Sequence, residues 1–191
     1  MKELLAAIAV LITFVAYVPY IRDTLKGKTQ PHAYSWLVWG LVTIVIFALQ
    51  ISHDAGAGAY VTLASAIALS IVFLLSLKYG KQHITQMDTA LLVLALLAIG
   101  IWLVADQPVL SICLLVSIEM LGFAPTVRKS WNRPNSETLI MYQAGAWRQF
   151  LSIMALQSYT FITLVAPTTW FVANSLFTVM LIVRRRQVRS Q

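Results

Sequence analysis

Seven long apolar segments, separated by short polar stretches, dominate the pattern of this 191-residue chain. A bilayer core of roughly 30 Å needs about 20 mostly apolar residues per helix, and each segment is close to that length. The pattern therefore predicts an all-α membrane protein with no appended soluble domain. Its seven transmembrane helices are predicted at residues 4–21, 35–52, 59–79, 89–105, 108–127, 138–157 and 161–183.

Composition supports the same class of protein. Hydrophobic residues make up 59% of the chain and charged residues 11%, and the mean hydropathy is +0.77. This is too little polar surface for a soluble globule. Cys113 is the sole cysteine, so no intrachain disulfide is available. We expect a multi-pass protein of a cell membrane, such as a bacterial inner membrane, and the sequence leaves homo-oligomerisation open.

The net charge of +7 is concentrated in alternate connections of the chain. The positive-inside rule then predicts an N-out, C-in topology, and the same placement disfavours a nucleic-acid partner. The C-terminal arginines act either as ordinary topology anchors or as a lipid-binding cluster. The basic residues follow the first, third, fifth and seventh segments: Arg22, Lys26, Lys28, Lys78, Lys81, Arg128, Lys129, Arg133, Arg184, Arg185, Arg186 and Arg189.

Two sequence matches indicate an internal repeat. Tyr17, Pro19 and Arg22 recur as Phe123, Pro125 and Arg128 at an offset of 106 residues, and an Ala-Leu-Gln triplet recurs at an offset of 107. We predict parallel three-helix repeats at 1–80 and 108–191, joined by a linker helix at 81–107 in a 3+1+3 arrangement. The two prolines either form paired hinges, because proline removes a backbone donor, or simply end their helices.

Glu119 and Arg148 are the charges that fall inside apolar segments. Each lies about 15–16 Å from the first residue of its predicted helix, close to the bilayer midplane. A charge at that depth costs roughly 2.5–3.5 kcal/mol, so each needs a partner or a wet cavity. The simplest hypothesis is that they face one another. They then form a structural ion pair, bind a polar or zwitterionic solute, or couple transport to protons through Glu119.

Polar and aromatic side chains at helical spacing extend this candidate site. Gln143 and Trp147 share one side of the sixth helix, Trp170 and Asn174 one side of the seventh, and Trp39 lies in the second. Such groups suit a pocket that stacks a ring and fixes its polar edge, although each also suits plain packing.

No cofactor, metal site or enzymatic activity is predicted. His32, His53 and His83 fall in different connections, and the chain has no hydrolytic or phosphate-binding motif.

The 3+1+3 plan, with a proline at the base of the first helix of each triplet and a basic turn after it, resembles the PQ-loop superfamily, which includes SWEET sugar transporters and KDEL receptors. The resemblance covers essentially the whole chain. The Pro-Gln dipeptide is replaced by Pro19-Tyr20 and Pro125-Thr126. Asn174 falls where the second asparagine of a SWEET-like sugar clamp would be, whereas the third helix offers only Ala64 and Ser65.

The resemblance implies a transporter or facilitator of a small polar solute that works by alternating access between two three-helix bundles. The alternative is a receptor or regulatory membrane protein of the same fold that binds its ligand without net transport.

Overall fold

The computed structural model describes residues 1–27, 31, 33–79, 86–105, 107–132, 134–137 and 139–189. The predicted all-α fold is confirmed for these residues, because their regular elements are all helical. Two short 3₁₀ helices, Gly56–Gly58 and Pro134–Ser136, lie in connections. The seven long elements are α1 (Lys2–Leu25), α2 (Ala33–Ser52), α3 (Ala59–Tyr79), α4 (Gln86–Ala105), α5 (Pro108–Asn132), α6 (Leu139–Ala155) and α7 (Phe161–Arg189).

Each predicted apolar segment corresponds to one helix, and the differences lie at the ends. The first, fifth and seventh helices continue past their apolar segments to Leu25, Asn132 and Arg189. Hydropathy marks the stretch suited to the bilayer core, whereas the polar residues that follow still have adequate helix propensity. Thr138, the predicted start of the sixth segment, lies outside the described residues, as do Lys28, His32, Lys81, His83 and Arg133 of the predicted connections.

Five helical segments are long and apolar enough to cross a membrane: 2–25, 33–52, 56–79, 108–132 and 161–188. α4 has a shorter apolar stretch, Thr89–Ile101, and α6 is a 17-residue helix that carries Arg148. These helices are the framework of a membrane-embedded protein.

Pro19 and Pro125 lie inside helices rather than at their ends. α1 continues to Leu25 after the first proline, and α5 continues to Asn132 after the second. A missing backbone donor is tolerated when the rest of the helix keeps its hydrogen bonds. The interpretation that these prolines merely end helices is therefore wrong, and the hinge interpretation stays a prediction.

The helices of each half pack in the same order. In the first half, residues 1–79, α3 packs against both α1 and α2; in the second half, residues 107–189, α7 packs against both α5 and α6. The halves meet where α1 packs on α6 and where α2 packs on α5, while α4 packs on α5 and α2. The largest apolar core lies between α2, α4 and α5, around Ile46, Leu49, Ala98, Ile112 and Leu115.

Equivalent aromatic contacts recur in the two halves. The rings of Tyr17 and Trp36 join α1 to α2 with centroids 6.5 Å apart. The rings of Phe123 and Tyr142 join α5 to α6 at 6.1 Å, and each lies 106 residues after its counterpart. The offset found in the sequence thus relates contacts as well as residue types.

A glycine in the second helix of each triplet faces a polar residue of the third. A Cβ added at Gly40 would lie 3.8 Å from Ser70 Oγ, and one added at Gly145 would lie 3.0 Å from Asn174 Oδ1. The two glycines are separated by nearly the repeat offset of 106 residues, and so are the two polar residues. Ser70 is therefore the counterpart of Asn174 in this packing.

The described cationic residues divide unequally between the ends of the bundle. Apart from Lys2 and Arg148, the described lysines and arginines of the α-helices lie near the C-terminal ends of α1, α3, α5 and α7. We call this end of the bundle the basic end. The opposite end carries Lys2, the Gly56–Gly58 turn and the α6–α7 connection.

Hydrogen bonds join the two halves at the opposite end. Gln157 N donates to Ala55 O at 2.9 Å, and Ser152 Oγ donates to Gly58 O at 3.0 Å. Lys2 Nζ donates to the carbonyl at position 156 at 2.6 Å. Because Gln157 N bonds across the interface, α6 ends at Ala155, two residues before the predicted end.

Replacing Gly58 with alanine should weaken this junction. A Cβ there would lie 2.7 Å from Ser152 O and 2.9 Å from Leu156 N, and these backbone atoms cannot move independently of α6. Overpacking of this kind costs about 1–3 kcal/mol, so Gly58→Ala should lower the thermal unfolding midpoint of the purified protein. Gly100→Ala in α4 is the matched control, because nothing lies within 4 Å of the added Cβ. Equal midpoints for the two variants would contradict the assigned contact.

Candidate functional site

Glu119 is buried in the middle of α5, with 4% of its surface exposed. Thr43 Oγ1 in α2 donates to one carboxylate oxygen at 3.0 Å, and Trp170 Nε1 in α7 donates to the other at 2.6 Å. The carboxyl group therefore bridges the two halves. Both of the groups that donate to it in these contacts are neutral. Hydrogen bonds of this kind are what allow a carboxylate to remain inside a protein.

Arg148 is half-buried in the middle of α6. Its Nη1 donates to Ser65 Oγ of α3 at 2.5 Å, and Ser65 Oγ in turn donates to Val61 O at 2.9 Å. This contact also crosses between the halves. A guanidinium group has five N–H donors, so one bond to a serine hydroxyl leaves capacity for an anionic partner.

The predicted direct pairing of Glu119 with Arg148 is wrong. Within the described residues, the ion pair found is Arg22–Asp23, near the end of α1. The physical reason is that the two side chains face different neighbours: Glu119 bonds to α2 and α7, while Arg148 bonds to α3.

The two charges nevertheless share one electrostatic environment. Glu119 in α5 bonds to α2 and α7, and Arg148 in α6 bonds to α3. Five helices therefore contribute to the contacts of the two charges at mid-depth. A carboxylate and a guanidinium that are close but not paired can each take a group of opposite charge from a ligand.

Trp170 contacts Glu119, and Asn174 lies one turn further along α7, where the two residues are linked to each other. Asn174 Nδ2 donates to Trp170 O at 2.8 Å within α7. The Trp170 ring packs against Phe123 with centroids 5.6 Å apart, which orients the indole N–H toward the carboxylate. Trp170 thus connects Glu119 to the aromatic cluster of the second half.

Trp39 lies close to the same level of α5. A Cβ added at Gly122 would lie 2.6 Å from Trp39 Nε1, so the indole rests directly on the α5 backbone one turn beyond Glu119. Only glycine permits this approach. Trp39 therefore borders the centre from α2, although the structure gives it no hydrogen bond to Glu119.

Gln143 and Trp147 were predicted in the site, but both lie on the exposed side of α6. Trp147 is 64% exposed and packs against Phe150 on that surface. The buried side of α6 instead carries Gly145, Gln149 and Ser152. The spacing correctly placed Gln143 and Trp147 together, but it could not indicate which side of the helix faces the interior.

Comparisons with protein-family models, curated proteins and solved structures find no match to this chain.

The sequence analysis did not identify Thr43 as the partner of Glu119 or Ser65 as the partner of Arg148. Thr43 follows Trp39 by four residues and precedes Gln50 by seven, so the three share one side of an otherwise apolar helix. That stripe was a usable signal. Ser65 offered no comparable signal, because serine in an apolar helix commonly bonds its own backbone.

Pro167 was also missed, and it explains a contact between the halves. Proline has no N–H to donate to the carbonyl four residues earlier, so Thr163 O in α7 loses its helical partner. Gln50 Nε2 of α2 donates to that carbonyl at 3.3 Å. The proline thereby creates an acceptor for the other half of the protein.

Replacing Trp170 with phenylalanine tests the bond to Glu119 while keeping an aromatic ring against Phe123. Because a buried carboxyl group would lose one of its two donors, we expect a loss of about 1–3 kcal/mol in unfolding free energy. Trp147→Phe, on the exposed side of α6, should change it by less than about 0.5 kcal/mol. Thermal or denaturant unfolding in detergent measures both. Equal, small effects would show that Trp170 contributes packing alone.

Proposed function

We propose that this protein moves a small polar solute across a membrane by alternating access between two three-helix bundles. The bundles are α1–α3, within 1–80, and α5–α7, within 108–191, and α4 is the linker between them. The basic end would face the cytoplasm, in accord with the positive-inside rule.

The observation that carries this proposal is the unpaired state of Glu119 and Arg148. A purely structural pair would satisfy its charges directly, because isolated charges at mid-depth are costly. Here each charge is held by hydroxyl or indole groups of a different helix. Their contacts cross from one half to the other, so a solute bound between them would touch both moving parts.

The repeated contacts support two bundles of the same design. The Tyr17–Trp36 and Phe123–Tyr142 pairs are related by one offset, and in each half the third helix packs between the other two. Pro19 and Pro125 lie at matching points in α1 and α5, so we propose that both bundles bend at the same depth.

The distribution of hydrogen bonds supports a conformation closed at the opposite end. Bonds at Ala55, Gly58 and Lys2 fasten the halves together there, and the charged centre lies at mid-depth. Alternating access requires these bonds to break when the site opens to that side. The PQ-loop resemblance agrees with this scheme, with Glu119 and Arg148 as the feature particular to this chain.

Uptake of a panel of radiolabelled solutes into proteoliposomes tests the proposal. The panel should contain neutral sugars, zwitterionic amino acids and small carboxylates. The charged centre predicts preference for a solute that carries both an anionic and a cationic or hydrogen-donating group. Saturable binding without uptake for every solute would favour the receptor alternative, and neither binding nor uptake would refute both.

A further inference from the structure

A groove of about 500 Å³ runs along α5 toward the basic end, and Glu119 is not among its lining residues. Its volume falls within the roughly 300–1,000 Å³ range of ligand-binding pockets. The inner part is apolar and follows one side of the helix over about 10 Å. That part is lined by Met120, Phe123, Ala124 and Val127.

The groove ends in polar and interfacial residues. Arg128, Trp131 and Asn132 line its basic end, and none of the described lining residues is acidic. Trp131 is 53% exposed, which is typical of tryptophan at a membrane–water interface. Arg128 is also exposed and lies one turn before Trp131 on α5.

Two arginines of α7 bond to backbone carbonyl groups at this end of the groove and in the turn beyond it. Arg184 Nε donates to Trp131 O at 3.0 Å, and its guanidinium carbon lies 5.0 Å from the centre of the Trp131 ring. Arg185 Nε donates to Pro134 O at 3.0 Å, which fastens α7 to the turn after α5. These two arginines therefore hold protein carbonyl groups and are more than topology anchors.

We propose that the groove binds an anionic diacyl phospholipid. An acyl chain would lie along Phe123, Ala124 and Val127, and the phosphate would lie between the guanidinium groups of Arg128 and Arg184. The Arg184 guanidinium uses Nε for Trp131 O and Nη1 for Gln187, so further N–H donors remain for a phosphate oxygen. This inference requires that α5 spans the membrane, but it does not depend on transport.

The chemistry of the groove selects a lipid over a free anion. A free phosphate would use the arginines alone and leave the apolar lining without a partner. A zwitterionic lipid would fill the apolar part but would gain less from the arginines. Each arginine near the membrane surface contributes about 1 kcal/mol toward an anionic headgroup, which is about a fivefold change in affinity.

Native mass spectrometry of the purified full-length protein tests this site. The protein would be incubated in detergent with equal amounts of dioleoyl phosphatidylglycerol and dioleoyl phosphatidylcholine. We expect one phosphatidylglycerol to be retained in preference, and Arg128→Ala to reduce that retention about fivefold. Arg22→Ala is the matched control, because Arg22 is an exposed arginine at the basic end of α1 and is paired with Asp23.

A second variant tests the contribution of the apolar lining to lipid binding independently of the arginine charge. Ala124→Phe fills the groove at an exposed position, so it should reduce retention of both lipids while the charge is unchanged. Equal retention of the two lipids by the unmodified protein would overturn the proposal. So would unchanged retention in Arg128→Ala, or displacement of the bound phosphatidylglycerol by millimolar inorganic phosphate alone.

Discussion

Replacing Arg148 with methionine should reduce solute uptake by about tenfold to a hundredfold. The guanidinium is the cationic group of the proposed site, and a charge-assisted hydrogen bond to a ligand is worth about 1.5–3 kcal/mol. Methionine keeps a long, flexible side chain against α3 but removes the charge and the donors. The measurement is initial uptake into proteoliposomes at a solute concentration below the half-saturating value.

The unfolding midpoint of the Arg148→Met variant distinguishes a functional role of Arg148 from a structural one. A half-buried cation in a membrane helix is itself costly, so Arg148→Met should leave the unfolding midpoint unchanged or raise it. Arg22→Met provides the control for net charge. A variant that unfolds earlier and still transports the solute would assign Arg148 to the structure alone.

Glu119→Gln is the companion substitution. The amide oxygen can accept from Trp170 Nε1, and the amide N–H group can donate to the Thr43 hydroxyl, which rotates to accept it. The fold should therefore persist while the negative charge is lost. Unimpaired uptake in both the Glu119 and Arg148 variants would refute the assigned site.

A disulfide across the opposite end should stop transport completely and reversibly. Ala55 O accepts from Gln157 N at 2.9 Å, so the two backbones are close enough for Ala55→Cys and Gln157→Cys to be tested as a disulfide pair. Because alternating access requires these segments to separate, oxidation should abolish uptake and a reducing agent should restore it. Cys113, the sole native cysteine, would be replaced by serine first.

The matched control is the same pair of substitutions without oxidation, together with each single cysteine. Those proteins should transport at a rate near that of the Cys113→Ser background. Full uptake in the oxidised, verified cross-linked protein would exclude opening at this end as a step in transport.

Helix positions were predictable because hydropathy and charge alternation are strong signals in a membrane protein. All seven apolar segments correspond to helices, and Glu119 and Arg148 lie in the middle of α5 and α6 as expected. Their lateral partners were not predictable, since depth along a helix does not determine which neighbour it faces. In the structure Glu119 faces α2 and α7, whereas Arg148 faces α3.

The side of a membrane helix that faces inward is similarly hard to predict. In a soluble helix polar residues mark the outside, but in a bilayer apolar and aromatic side chains suit both lipid and protein. Trp147 was therefore assigned to the interior although it is exposed, whereas Trp170, assigned by the same reasoning, contacts Glu119. A hydrogen-bonding neighbour such as Glu119 distinguishes the two, and only the folded chain reveals it.

Thiol labelling of Ser65→Cys in vesicles of known orientation tests the central claim most directly. Position 65 touches Arg148 at mid-depth, and the neighbouring cation favours the reactive thiolate. With the 55–157 disulfide closed, a membrane-impermeant reagent should label the cysteine from the basic end only. With the disulfide reduced and solute present, it should also label from the opposite end. Absence of labelling from both sides in both states would contradict a solute site between the two bundles.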